Sequence, residues 1–221
     1  MKFFIVLQVL IYICFIGLDL TGKAIAVSNL LKLTSIALCL VFSIIQMMKK
    51  KHKIAIIQML ILFFTLTSDY FLLLTDMYSM GISTFIIVQI GYGSLLKIAN
   101  NKRPNRLGFF LLTSVIIFTV ILLFLKQTDG LSLLYALLFI RNLVTAYKGK
   151  NQSEYSNWLL IGLVLYAICD VQVALFNLEF VKNQLSIIYA IAALGMWVFY
   201  LPGQVILTLS PRVYEVVETI H

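Results

Sequence analysis

The most constraining feature of this 221-residue chain is that it reads as one apolar run after another, each about as long as a bilayer is thick. A helix needs ~20 mostly apolar residues to cross hydrocarbon. Segments of that kind fall near residues 3–20, 27–48, 54–75, 79–99, 108–126, 131–147, 157–177 and 184–209. The connections are short and polar: Thr21-Gly22-Lys23, Lys49 to Lys53, Asn100 to Asn105, Thr128-Asp129-Gly130, Lys148 to Glu154 and Glu179 to Asn183. Only helices and closed barrels satisfy their backbone in lipid, and runs this long exclude a barrel. The expected fold is therefore an all-α, polytopic membrane helix bundle of about eight transmembrane helices. It forms a single integral membrane domain over residues 1–221, because no stretch outside the runs is long enough to bury a core.

Composition agrees. The chain is 62% hydrophobic and 12% charged, half the charge a soluble domain uses to cover its surface. The net charge of +8 argues for topology rather than nucleic acid, because the basic residues sit in short connections. With eight spans, one side receives Lys2, Lys49, Lys50, Lys51, Lys53, Lys97, Lys102, Arg103, Arg106, Lys148, Lys150 and Arg212. The other receives Lys23, Lys126 and Lys182. Twelve against three places both termini in the cytoplasm and the chain in a cell membrane, the bacterial inner membrane being the expected one. The N-terminus has some look of a signal peptide, with Ala24-Ile25-Ala26 as a small-residue site, but its apolar run is long enough to span. Cys14, Cys39 and Cys169 all fall inside apolar runs and read as inert core thiols.

Against this background the ionisable residues inside the runs stand out, since each costs ~2.5–3.5 kcal/mol on insertion scales. They are Lys32, Asp69, Arg141 and Asp170, while Asp19 closes the first span and reads as an interfacial residue. At ~1.5 Å per residue, Lys32, Asp69 and Asp170 are expected in the outer halves of three different helices, at one level. Asp69 and Asp170 lie four spans apart on helices of the same direction, a pattern that a duplicated four-helix unit would give. In the fourth span Gly81, Phe85 and Gln89 recur at steps of four and Tyr92 follows Gln89 by three, so all share one helix face. In the eighth, Tyr200 and Gln204 are four apart, and Pro202-Gly203 between them is expected to loosen the helix. Three readings fit this spacing: structural pairing, with Lys32 to Asp69 and Arg141 to Asp170 as ion pairs, a transport or ligand pathway, and catalysis. Glutamines in such positions also serve as interhelical glue worth ~0.6 kcal/mol each. Neither His52 nor His221 lies where a nucleophilic triad would need it, and no cluster suggests a metal or a cofactor.

The order of these residues resembles the YhhN family of multi-spanning proteins associated with lysoplasmalogenase activity. The resemblance rests on Ser68-Asp69, on Tyr78, Gly81, Phe85, Gln89 and Tyr92, on Asp170 with Ala174, on Phe199, Tyr200 and Gln204, and on Lys32 early in the second helix. It departs at Gln89, where the family usually has His, at Leu33, where it has Pro, and at Cys169, where it has Ser. The resemblance implies a membrane hydrolase that opens the vinyl-ether bond of a lysoplasmalogen, with a lysophospholipid or related ether lipid as substrate. Asp69 and Asp170 would be the catalytic pair, one acid and one base. Lys32, Gln89, Tyr92, Tyr200 and Gln204 would bind substrate. The alternative is a membrane transporter or lipid-binding protein that uses the same polar residues.

Overall fold

A computed structural model describes residues 1–49, 52–100 and 127–218. Among these the chain is helical, with eight helices and no strand. They are α1 (Lys2–Thr21), α2 (Ile25–Lys49), α3 (Lys53–Leu74), α4 (Tyr78–Ala99), α5 (Gln127–Lys148), α6 (Glu154–Asn177), α7 (Glu179–Gln184) and α8 (Ser186–Glu218). Seven of them, all but α7, are long and apolar enough to cross a membrane. The expected polytopic all-α bundle is what the chain forms; the fifth expected span, 108–126, lies outside the described residues. The connection expected at Glu179 to Asn183 is instead a turn and a half of helix, α7.

Each helix ends for a local reason. Gly22 closes α1 in the left-handed conformation at φ 64°, its N–H donating to the Asp19 carbonyl at 3.2 Å. His52 Nδ1 caps α3 by accepting from the Ile54 N–H. Within the spans, hydroxyls such as those of Thr34, Thr65, Thr67 and Thr84 turn back onto carbonyls of the preceding turn. That satisfies a polar group which hydrocarbon would leave stranded. Large apolar side chains face outward, Phe3 and Ile187 among them, as a lipid-facing surface requires. Cys14 is one of the exposed residues, so it is not the core thiol expected, whereas Cys39 and Cys169 are buried.

The chain divides into two compact units, Met1–Phe42 with Trp158–His221, and Ser43–Asn157. In the first, α1 and α2 run antiparallel: Phe4 stacks on Phe42 at 4.3 Å near one end and Asp19 meets Lys32 near the other. Helices α6 and α8 also run antiparallel. Tyr166 meets Tyr200 and Phe176 stacks on Tyr189, while Gly162 and Gly203 bring the two backbones close together. Helix α8 joins α1 through Phe15 and Trp197, rings 5.7 Å apart. In the second unit α3 and α4 form an antiparallel hairpin, closed where Gly81 lies under Leu72 and Gly91 under Ile61. On its other flank α4 runs in the same direction as α5, from Phe85 beside Tyr135 to Asn100 beside Thr145.

Candidate functional site

In the first unit the site is built around Lys32. Its position on α2, one face away from lipid, leaves it 7% exposed. Its Nζ lies 2.8 Å from Asp19 Oδ2 and 3.1 Å from Oδ1. Ser28, one turn earlier on α2, donates to the same Oδ1 at 2.5 Å. Asp19 is thus the counter-ion of a buried lysine, not simply the interfacial residue expected of it. Lys32, for which Asp69 was one structural partner considered, has Asp19 beside it. The hairpin explains the pairing, since Asp19 and Ser28 lie on either side of the α1–α2 turn and Lys32 is one turn beyond Ser28.

Aromatic rings enclose the ammonium. Lys32 Nζ lies 5.2 Å from the centroid of Trp197 and 5.9 Å from that of Phe15, within the range of cation–π attraction. Trp197 meets Tyr200 edge-on at 5.0 Å, and Tyr200 meets Tyr166 at 5.4 Å. Asp170 lies on α6 between Tyr166, which touches Tyr200, and Gln172, which packs on Gly195. That register sets Asp170 at the level of Trp197, hence of Lys32. Gln204 follows Tyr200 by one turn and is 1% exposed. The unit therefore sets Lys32, Asp170 and Tyr200 near one level of α2, α6 and α8, with Gln204 one turn further along α8 from Tyr200.

Pro202 loosens the ladder of α8 without ending the helix. Helix α8 continues through it, but a proline has no N–H, so the Val198 carbonyl four residues back loses its helical donor. The Tyr12 hydroxyl of α1 fills that role, donating to Val198 O at 3.4 Å. The freed backbone group is engaged by the protein's own side chain. Pro211 repeats the pattern: it frees the Leu207 carbonyl, and Ser210 Oγ donates to it at 2.8 Å.

In the second unit Asp69 is 4% exposed on α3. Its neighbour Ser68 donates to the Gly81 carbonyl at 2.5 Å, tying α3 to α4. The shared face expected of α4 holds for Gly81, Gln89 and Tyr92, all buried. Phe85 is partly exposed and faces Tyr135 at 5.9 Å. Gln89 is gripped by Asn142 of α5, whose Nδ2 donates both to the Gln89 carbonyl at 2.7 Å and to its Oε1 at 3.0 Å. Gln89 Nε2 is buried and unpartnered. Arg141, next to Asn142, lies beside Gly93.

Asp19, Asn142 and Trp197 were not singled out from the sequence as site residues. Distance from the Gly22 turn would have pointed to Asp19. Asn142 was overshadowed by the charged Arg141 next to it, and nothing in the spacing of Trp197 marks it.

No curated protein and no solved structure matches the chain. A family model does, from Val27 near the start of α2 to Pro211 within α8, taking in Lys32, Asp69, Gln89, Asp170 and Gln204. The chain belongs to the YhhN family.

Proposed function

We propose that this protein is a lysoplasmalogenase-like membrane hydrolase that opens the vinyl-ether bond of lysoplasmalogens or related ether lipids. Family membership carries the reading, together with a carboxylic acid, Asp69, that is 4% exposed inside an apolar helix. Such a residue is costly to insert and calls for a role.

The chemistry suits two carboxyl groups. A vinyl ether is hydrolysed by proton transfer to its outer vinyl carbon, which leaves an oxocarbenium ion. Water adds to that ion, and the resulting hemiacetal collapses to a fatty aldehyde and the glycerol hydroxyl of the headgroup fragment. One carboxyl must be protonated to start the reaction. The other must be ionised, to stabilise the cation and take a proton from water, the division of labour that glycosidases use for a similar cation. Asp69 and Asp170 are assigned as this pair. Lys32, Gln89, Tyr92, Tyr200 and Gln204 are assigned to substrate. In this reading the protein sits in a bacterial inner membrane with both termini cytoplasmic.

The test is aldehyde release from a lysoplasmalogen by the purified chain. Wild type should release fatty aldehyde, and Asp69→Asn and Asp170→Asn should each lower the rate by roughly 100-fold or more. Folded wild-type protein that releases none, with several headgroups tried, removes the hydrolase assignment. Lipid binding that survives both asparagine variants would then favour a transporter or lipid-binding role. Reporter fusions at the two termini check the orientation, which predicts that both report from the cytoplasm.

A further inference from the structure

Two glutamines of the first unit carry polar atoms that the protein leaves unanswered. Gln8 of α1 is 3% exposed. Its Nε2 donates to the Ser35 carbonyl at 2.8 Å and approaches Cys39 Sγ at 3.3 Å, but its Oε1 is buried with no partner. Gln204 of α8 is 1% exposed, and both its Nε2 and its Oε1 are buried with no partner. Exchanging the two ends of the Gln204 amide does not help, since neither end is satisfied.

The two residues belong to one polar chain across three helices. Cys39, which Gln8 approaches, is within hydrogen-bonding reach of Thr208, and the Thr208 hydroxyl donates to the Gln204 carbonyl at 2.7 Å. Around it lie the apolar side chains of membrane-spanning helices. Hydrocarbon offers these amides nothing, and buried polar atoms are rarely left unpaired.

We propose that Gln8, Ser35, Cys39, Gln204 and Thr208 line an internal hydration site, in which bound water completes the hydrogen bonds of the two glutamine amides. The stranded atoms are two acceptors and one NH₂ donor. A water molecule donates twice and accepts twice, so it answers both kinds, and buried waters are held by two to four such partners. The site shares Gln204 with the residues assigned to substrate above, but it rests on the stranded amide atoms alone and its test does not read that activity. Water held inside the membrane-spanning region is nevertheless the co-substrate that a hydrolysis there consumes.

Cys39 supplies the probe, because its S–H stretch is visible by infrared spectroscopy and becomes S–D only where D₂O arrives. The band is identified by its loss in Cys39→Ala. On transfer of the full-length protein in detergent to D₂O, the Cys39 band should convert within minutes. It should convert about tenfold more slowly in Gln204→Met, which removes a donor and an acceptor from the water. Gln8→Met, which removes the other acceptor, should slow it too and serves if Gln204→Met does not fold. An S–H band that persists for hours in wild type overturns the proposal. So does conversion equally fast in the wild type and the methionine variants, because water would then arrive by general opening of the bundle.

Discussion

Lys32 and Asp19 show what a charged side chain needs in order to persist inside an apolar helix. The ammonium has a carboxylate at 2.8 Å and two aromatic faces, and the carboxylate has a serine hydroxyl as well. Removing one partner leaves the other charge buried. Asp19→Asn is therefore expected to destabilise by about 2 kcal/mol, less than the ~3–5 of a wholly buried pair because Asp19 is partly exposed. Replacing both, as Asp19→Leu with Lys32→Met, should recover more than half of the loss in a thermal unfolding series. A double variant no more stable than Asp19→Asn would show that the pair is not what holds Lys32. Asn142 poses a neutral version of the problem. Asn142→Leu strands the Gln89 side-chain oxygen that it now serves and should cost about 1–3 kcal/mol. In the sequence Lys32 stands out as a charge at an unusual place, while Asp19 reads as an interfacial residue. Their pairing is not legible there, because position along a span says how deep a residue lies but not which way its helix is turned.

At the scale of the helix, glycine and proline decide where α6 and α8 meet. A Cβ on Gly162 would lie 2.5 Å from Leu207 Cγ and 3.3 Å from the Gly203 carbonyl. A Cβ on Gly203 would lie 3.2 Å from the Gly162 carbonyl and 3.4 Å from the Tyr166 nitrogen. The crossing is close because neither residue has a side chain, the usual device for helix contact in membranes. Gly162→Ala should lower stability by about 1–3 kcal/mol through overpacking. Gly17→Ala is the control: nothing lies within 4 Å of its Cβ, and alanine is the better helix former, so its melting temperature should match or exceed that of wild type. Pro202 was legible as a break in the backbone ladder. What answers the break is a tyrosine on α1, 186 residues before the carbonyl it serves, and no local pattern could name it.

For the whole molecule, the family match begins at residue 27 and so leaves out α1. Yet α1 provides the counter-ion of Lys32, the donor to the carbonyl freed by Pro202, and the glutamine that spans to Ser35 and Cys39. A chain lacking residues 1–24 is accordingly expected to lose its folded, monodisperse form in detergent, as judged by size-exclusion chromatography. If that chain stayed monodisperse with an unchanged melting temperature, α1 would be an accessory helix. What the sequence determined by itself was the fold class and the course of the described spans. Hydrocarbon obliges each segment to satisfy its own backbone, and that rule can be read from a run of residues without reference to any other. The aspartates, the lysine and the buried face of α4 were legible for the same reason, as departures from it. The partners were decided by tertiary structure alone: Asp19 with Lys32, Asn142 with Gln89, Tyr12 with the Val198 carbonyl. Each depends on the rotation and register of two helices, which no run of residues along one helix records.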